Sequence, residues 1–390
     1  MLIFQSILIY GFIIWVMTYF GHIAYKKQYP QGYGGVDMFQ RRKMSLTSLF
    51  TKSYFLIPIF VFCLFAAIRY KVGVDCESYK ESFHDIQIFG ETTRAQKIED
   101  AFKLLSDFSS QFTSTHYLLF FLLAMLQIVL YYSCFRKETY VLLFFSLALF
   151  LTNEYWSWMN GMRQIIAACA FVASIPLILQ KKWLFFTLVA IVASTMHRSA
   201  LIFLPIGIGA YFCRKSIPNK YVQLVILALC YLMMNSLNDI VYPAIFLFGE
   251  QLGYNDAKIE GYSELQMTTI IFGLRSMLLY SAYLIAVIFS DKMKEFYKSE
   301  KFNICYNMFF ISISLTLLFY NNFTINRIAC YFTIFNPAVI AYLFFFLRSN
   351  RKQYNYAYMI TILLLVVRTL YNFYSVLGDP METTLYKFDL

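Results

Sequence analysis

The chain is 390 residues long, 59% hydrophobic and 20% aromatic, with a mean hydropathy of +0.57 and a formal charge of +11. Such composition cannot cover a water-facing surface, which excludes a soluble protein of two or three domains. Its apolar runs lack strand-like alternation and reach about 20 residues, which excludes a transmembrane barrel.

Taken in order, apolar segments predict twelve spans: 2–25, 54–69, 116–135, 139–153, 162–180, 183–196, 199–213, 221–247, 268–289, 303–321, 328–347 and 355–377. The count falls to eleven if 183–213 is one helix broken at His197-Arg198. The first run has no basic flank before it and carries Lys26 and Lys27 after it, so it reads as a retained span rather than a cleaved signal. Loops 26–53, 136–138, 180–182, 213–220, 290–302 and 348–354 hold 20 of the 33 basic residues and 5 of the 22 acidic ones. By the positive-inside rule that face is cytoplasmic and both termini lie outside. The basic excess thus sets topology, and no nucleic-acid partner is expected. The predicted fold is an all-α polytopic membrane protein with a single transmembrane domain over 1–390.

Two exterior loops are large. In 70–115, Thr93 and Gln96 fit a capping box, and Ile98, Phe102, Leu105, Phe108 and Phe112 recur at helical spacing. They predict a short amphipathic helix on the outer membrane face. Residues 248–267, with Gly249, Gly253 and Gly261, could serve as a lid. Cysteines occur singly, most of them in apolar runs, and Cys76 has no obvious partner in its polar loop, so no disulfide is expected.

Arginine marks the exterior helix ends. Arg69 ends the second predicted span, Arg163 begins the fifth, and His197 and Arg198 lie between the sixth and seventh. Arg275 lies two turns into the ninth, Arg327 begins the eleventh, and Arg368 sits in the outer half of the twelfth. Any one of these is as readily a snorkelling anchor. Together, at one depth, they suit a lipid phosphate or pyrophosphate, because guanidinium binds phosphate bidentately and keeps its charge when desolvated. Asn160, Arg163 and Gln164 share a helical face, offering a charged fork and two amides; capping by Asn160 and inward packing of Gln164 is the plainer alternative.

His197 is either a packed core histidine or a reacting group. Beside arginines its pKa is expected to fall, leaving a neutral imidazole. Asp75 follows the second span closely, and Gly73 allows a turn that brings its carboxylate back over the membrane. It could take a proton from a sugar hydroxyl, or pair with Arg69. No D-x-D or H-x-x-x-H motif occurs, so neither metal nor cofactor is expected.

Four stretches carry a resemblance: R-Y-K-V-G-V-D-C-E-S-Y from Arg69, N-G-M-R-Q-I-I-A-A-C-A-F from Asn160, S-T-M-H-R-S-A-L-I-F-L-P from Ser194 and N-R-I-A-C-Y-F from Asn326. In order and spacing the chain resembles the EpsG family of Wzy-like polysaccharide polymerases. The resemblance implies a GT-C-like, metal-independent glycosyltransferase of the bacterial cytoplasmic membrane. Such an enzyme joins undecaprenyl-pyrophosphate-linked repeat units into capsular or exopolysaccharide at the outer face. Its partners would be the polyprenyl pyrophosphate donor and acceptor, membrane lipid, a chain-length regulator and a flippase. Arg163 would hold the pyrophosphate, helped by Arg198, Arg275 and Arg327, and Asp75 or His197 would be the base. Arg69, Tyr79, Asn160, Gln164 and Arg368 would complete the substrate contacts. An O-antigen-ligase-like transferase shares the donor and the chemistry. A flippase or transporter would need arginines along a path to the cytoplasmic half, where the predicted spans carry almost no charge.

Overall fold

The computed structural model describes residues 2–30, 32, 44–90, 99–238, 272–375 and 384–388. The first half comprises α1 (Leu2–Gln28), α2 (Ser48–Thr51), α3 (Ser53–Ala67), β1 (Arg69–Tyr70), α4 (Cys76–Phe89), α5 (Asp100–Ser110), α6 (Tyr117–Phe135), α7 (Thr139–Leu151), α8 (Glu154–Asn160) and α9 (Met162–Leu179). There follow α10 (Trp183–Ser194), a 3-10 turn (Arg198–Ile202), α11 (Phe203–Cys213), α12 (Lys220–Leu232), α13 (Leu274–Ile288) and α14 (Ser290–Tyr297). The chain continues with α15 (Glu300–Leu318), α16 (Phe323–Ile328), α17 (Cys330–Thr333), α18 (Asn336–Ser349), α19 (Arg351–Ser375) and β2 (Lys387–Phe388). Among the described residues the strands form one antiparallel pair, with Arg69 opposite Phe388.

Each predicted span contains helical chain among the described residues, but apolar length and helix length are different quantities. Five helices are long and apolar enough to cross a membrane, or seven if the bent pairs α13–α14 and α16/α17–α18 each count as one span. Five other apolar helices are shorter. The run 221–247 shows the reason: its helix stops at Leu232 and gives way to turns. The run 328–347 is likewise bent by 42° before Asn336. In the first large loop a helix occupies Asp100–Ser110 with Phe102 fully buried, and α4 precedes it, which the sequence reading did not anticipate. Thr93, Gln96, Ile98 and the 248–267 segment lie outside the described residues.

The core is built by α1 on α7, α6 on α9, α18 on α7, and α3 on both α1 and α6. Apolar side chains on outer faces stay uncovered, among them Leu184, Val192, Leu232, Leu363 and Tyr374. Faces of that kind suit lipid, not water.

Whether 183–213 is one helix or two is decided by packing. A straight helix would put Phe186 and Gly207 about 30 Å apart at 1.5 Å per residue. Instead a Cβ on Gly207 would lie 2.3 Å from the Phe186 ring, and the Trp183 and Tyr211 rings are 5.3 Å apart. So α10 and α11 form an antiparallel hairpin with His197 at its tip.

That tip, the start of α9, the β1 strand and residues 384–388 share one end of the bundle, called here the arginine end. Tyr10 Oη and Trp156 Nε1 both donate to the Thr384 carbonyl at 3.0 Å. Tyr386 N–H donates to Ser6 Oγ at 2.8 Å and its hydroxyl to the Phe65 carbonyl at 2.7 Å. At the opposite, lysine end, Lys301 Nζ meets Glu138 at 2.6 Å and donates to the Cys134 carbonyl at 2.7 Å. An open cleft of about 670 Å³ also lies there, lined by Lys215, Asp291, Lys294, Glu295, Lys298 and Glu300. Its mixed charges answer one another, as Arg214 and Glu300 do at 3.5 Å. It lies at the other end of the bundle from the arginines.

Candidate active site at the arginine end

The site starts from a fully buried arginine. Arg69 donates to the carbonyls of Ala66, Val72 (3.1 Å) and Met159 (3.2 Å) and to Met162 Sδ (3.1 Å), and lies over the Phe120 ring at 4.6 Å. Its fork is therefore spent on backbone, tying the end of α3 to the α8–α9 corner. This sets Arg69 apart from the substrate-facing group in which the sequence reading placed it.

Four residues later the chain turns at Gly73 (φ +89°), where a Cβ would come 2.9 Å from the Met159 carbonyl oxygen. A side chain meets both a clash with backbone and an unfavourable left-handed conformation. The turn delivers Asp75 to the start of α4, and its N–H donates to Asn160 Oδ1 at 2.9 Å. Asn160 thus positions Asp75. Gly73→Ala is expected to open the contact between Asp75 and Asn160 and lower the melting temperature in detergent. An unchanged melting temperature would mean that the turn is not held against Met159.

Arg163 opens α9 and is the hub. It forms a half-buried ion pair with Glu99, lies 5.7 Å from the Tyr79 ring centre and 5.3 Å from that of Phe102, and hydrogen-bonds to Tyr79. Asp75 lies within electrostatic reach of both Arg163 and Tyr79. Burial pushes the Tyr79 hydroxyl pKa up, opposed by Arg163. Glu99 escaped the sequence reading because it precedes a surface helix, and only the fold-back of α5 brings it here. That fold-back is anchored by Ala101 N–H donating to the Thr195 carbonyl at 3.0 Å, next to the hairpin tip.

At the tip, the Ser199 N–H donates to His197 Nδ1 at 3.3 Å, and Ser199 Oγ is 2.8 Å from Nδ1 and 2.9 Å from the Tyr331 hydroxyl. A backbone N–H can only donate, so Nδ1 is an acceptor and the neutral ring carries its proton on Nε2. The His197 pKa is pushed down to about 3, first by burial and then by Arg163 and Arg327. Burial is the largest cause, ahead of the arginines, and Arg198 is not among the causes. Gln164 Nε2 donates to the Arg327 carbonyl at 2.8 Å, fixing α16 against α9. Asp75, Tyr79, Glu99, Arg163, His197 and Arg327 therefore form one group, positioned by Asn160 and Gln164.

Unfolded histidine titrates near 6.5, so below that pH the unfolded chain takes up a proton that folded His197 refuses. Stability should fall as pH drops through 6.5, by about 2 kcal/mol at pH 5. The fall in melting temperature from pH 7 to 5, measured in detergent, should shrink in His197→Gln; an equal fall would contradict this placement.

The other arginines separate from this group. Arg198 is exposed beside His197. Arg275 donates to Asn372 Oδ1 at 2.9 Å, and Arg368, buried, donates to the Leu151 carbonyl at 3.3 Å. They belong with Glu154, Asn336 and Tyr283, where Asn336 Nδ2 lies 3.3 Å from both Glu154 Oε1 and the Tyr283 hydroxyl. Burial pushes Glu154 up to about 8, while Asn336, Arg368 and Thr333 pull it back. Glu154, Asn336 and Tyr283 did not stand out in the sequence as Arg275 and Arg368 did, since Glu154 opens an aromatic helix that reads as a span end. Cys330 lies within electrostatic reach of both Glu154 and Arg327, so the two groups adjoin. All eight cysteines are free thiols. Among the described residues no three His, Cys, Asp or Glu side chains gather as metal ligands would.

No curated protein and no solved structure matches the chain. A family model described as the EpsG family matches residues 52–388, from the start of α3 through β2 and hence through every residue of both polar groups. The chain belongs to the EpsG family.

Proposed function

We propose that the protein is a polymerase of lipid-linked oligosaccharides. Its arginine end would face the exterior of a bacterial cytoplasmic membrane, with the lysine-rich loops inside, in keeping with the charge asymmetry. Donor and acceptor are both undecaprenyl-pyrophosphate-linked repeat units, and the product is capsular or exopolysaccharide. A flippase supplies the units and a chain-length regulator limits the product. One observation carries the reading: half-buried His197, at the tip of the α10–α11 hairpin, lies within electrostatic reach of Arg163 and Arg327, two cations from distant parts of the chain at one end of the bundle.

In the reaction a hydroxyl of the acceptor's terminal sugar attacks the donor's anomeric carbon. A new C–O bond forms there, the bond to pyrophosphate breaks, and the lipid pyrophosphate leaves with the electron pair. That leaving group needs its charge spread rather than a proton, and desolvated guanidinium groups do this in place of a metal. Arg163 and Arg327 take that role, with His197 Nε2–H as a neutral donor and exposed Arg198 meeting the substrate from the tip. Because His197 already holds its proton on the available nitrogen, the hydroxyl proton goes to Asp75. Tyr79 backs Arg163, while Arg69, Asn160 and Gln164 act as positioning residues. Arg275 and Arg368 serve the adjoining polar group.

The test supplies protein in nanodiscs with lipid-linked repeat units alone. A ladder of products supports the polymerase. Product only after a second, unrelated acceptor is added would make it a ligase, and unit translocation without any product would make it a transporter.

A further inference from the structure

Among the described residues, four buried polar atoms of the second group have no hydrogen-bond partner: Glu154 Oε2, Asn336 Oδ1, Arg368 Nε and Asn372 Nδ2. Their residues are 7%, 4%, 5% and 1% exposed. An unpaired buried polar group costs about 1–3 kcal/mol, and native proteins tolerate few of them. Four in one neighbourhood, from α8, α18 and α19, need something to bind. Direct contacts hold the neighbourhood together. Asn336 bridges Glu154 and Tyr283, Arg368 and Asn372 stand one turn apart on α19, and Arg275 pins Asn372.

The kinds of atom define the ligand. Asn336 Oδ1 accepts, Arg368 Nε–H and Asn372 Nδ2–H donate, and Glu154, with Oε1 taken by Asn336 and its pKa pushed up to about 8, presents a carboxyl that can donate as well as accept. An anion would leave Asn336 Oδ1 unanswered, and a cation would leave the N–H donors unanswered and meet the charge of Arg368. A hydroxyl donates and accepts at once, so neighbouring hydroxyls on one ring answer both kinds.

We infer that Glu154, Asn336, Arg368 and Asn372 form a sugar-binding subsite next to the pyrophosphate-binding arginines. That its sugar belongs to the lipid-linked repeat unit rests on the glycosyl-transfer reading above; that it is a sugar at all rests on the four atoms. Cys330, in reach of both Glu154 and Arg327, marks the seam where saccharide gives way to pyrophosphate.

The experiment uses full-length protein in nanodiscs and two probes. Saturation-transfer NMR with a panel of neutral hexoses, N-acetylhexosamines and uronic acids reports sugar binding, and phosphorus line broadening reports inorganic pyrophosphate. At least one saccharide should receive saturation. Glu154→Gln and Asn372→Leu should each weaken it about tenfold, the loss of one hydrogen bond involving a charged or buried partner. Both variants should still bind pyrophosphate, whereas Arg163→Ala should bind saccharide and not pyrophosphate. Pyrophosphate binding with no saccharide binding at millimolar concentration overturns the subsite and leaves water as the partner of these atoms. Saccharide binding indifferent to both variants overturns it equally. Saccharide binding without pyrophosphate binding leaves the subsite standing and removes the arginine reading. If Glu154→Gln does not fold, Asn372→Leu, near the end of α19, carries the test.

Discussion

Arg163→Ala should lower the rate of chain extension by about 10²–10³-fold, the usual cost of losing one preorganised donor to a developing negative charge. The guanidinium sits against the paired Tyr79 and Phe102 rings, half-buried, where charge contacts are stronger than in open water. Lysine should recover little, because it cannot present a planar fork to Tyr79, Glu99 and a phosphate together. Glu99 complicates a single variant, since its carboxylate is 13% exposed and would be left unpaired. An unpaired buried charge destabilises on its own account. Arg163→Ala combined with Glu99→Ala should therefore melt closer to wild type than Arg163→Ala alone, and remain inactive. Initial rates with lipid-linked repeat units, taken beside melting temperatures, separate the two effects. A double variant that extends chains at the wild-type rate would end the assignment of Arg163.

Arg69→Met should fail in a different way, through folding. This side chain carries contacts to three carbonyls and a thioether, and removing it leaves buried acceptors unanswered at about 1–3 kcal/mol each. The summed loss, roughly 3–5 kcal/mol, is a large part of what holds a domain together. Lysine offers one ammonium in place of a fork and should rescue poorly. The expected result is a large drop in melting temperature and aggregation on extraction. Normal melting with loss of activity would instead return Arg69 to the substrate-facing set and remove its structural role.

How much was legible in advance follows from the kind of signal each residue gives. Apolar runs located the helices, because lipid solvation acts on each segment by itself. Their lengths were not legible, because bends such as that before Asn336 depend on neighbours. Gly73 and Asp75 could be read together, since a turn is local. Arg163 and His197 declared themselves as polar groups at the edges of apolar chain. Their partners did not: Glu99 arrives only when α5 folds back on the hairpin tip, and Asn336 meets Glu154 across a long stretch of intervening sequence. Arg69 misled for the same reason. A charged residue at a span end looks alike from sequence whether it faces a substrate or a ring of carbonyls. One arginine set thus becomes a locked residue, a hub with Arg327, and a second pair beside Glu154.

The clasp between Arg69–Tyr70 and Lys387–Phe388 bears on biosynthesis. The strand that leads into the Asp75 turn pairs with a strand that follows α19, so it waits for its partner until every helix from α4 to α19 has been made. A nascent protein can therefore assemble its apolar bundle before that corner is fastened. The corner that carries Asp75 would then be fastened only once α19 is in place, and a substitution that loosens Lys387–Phe388 would act on that corner from the far side of the sequence.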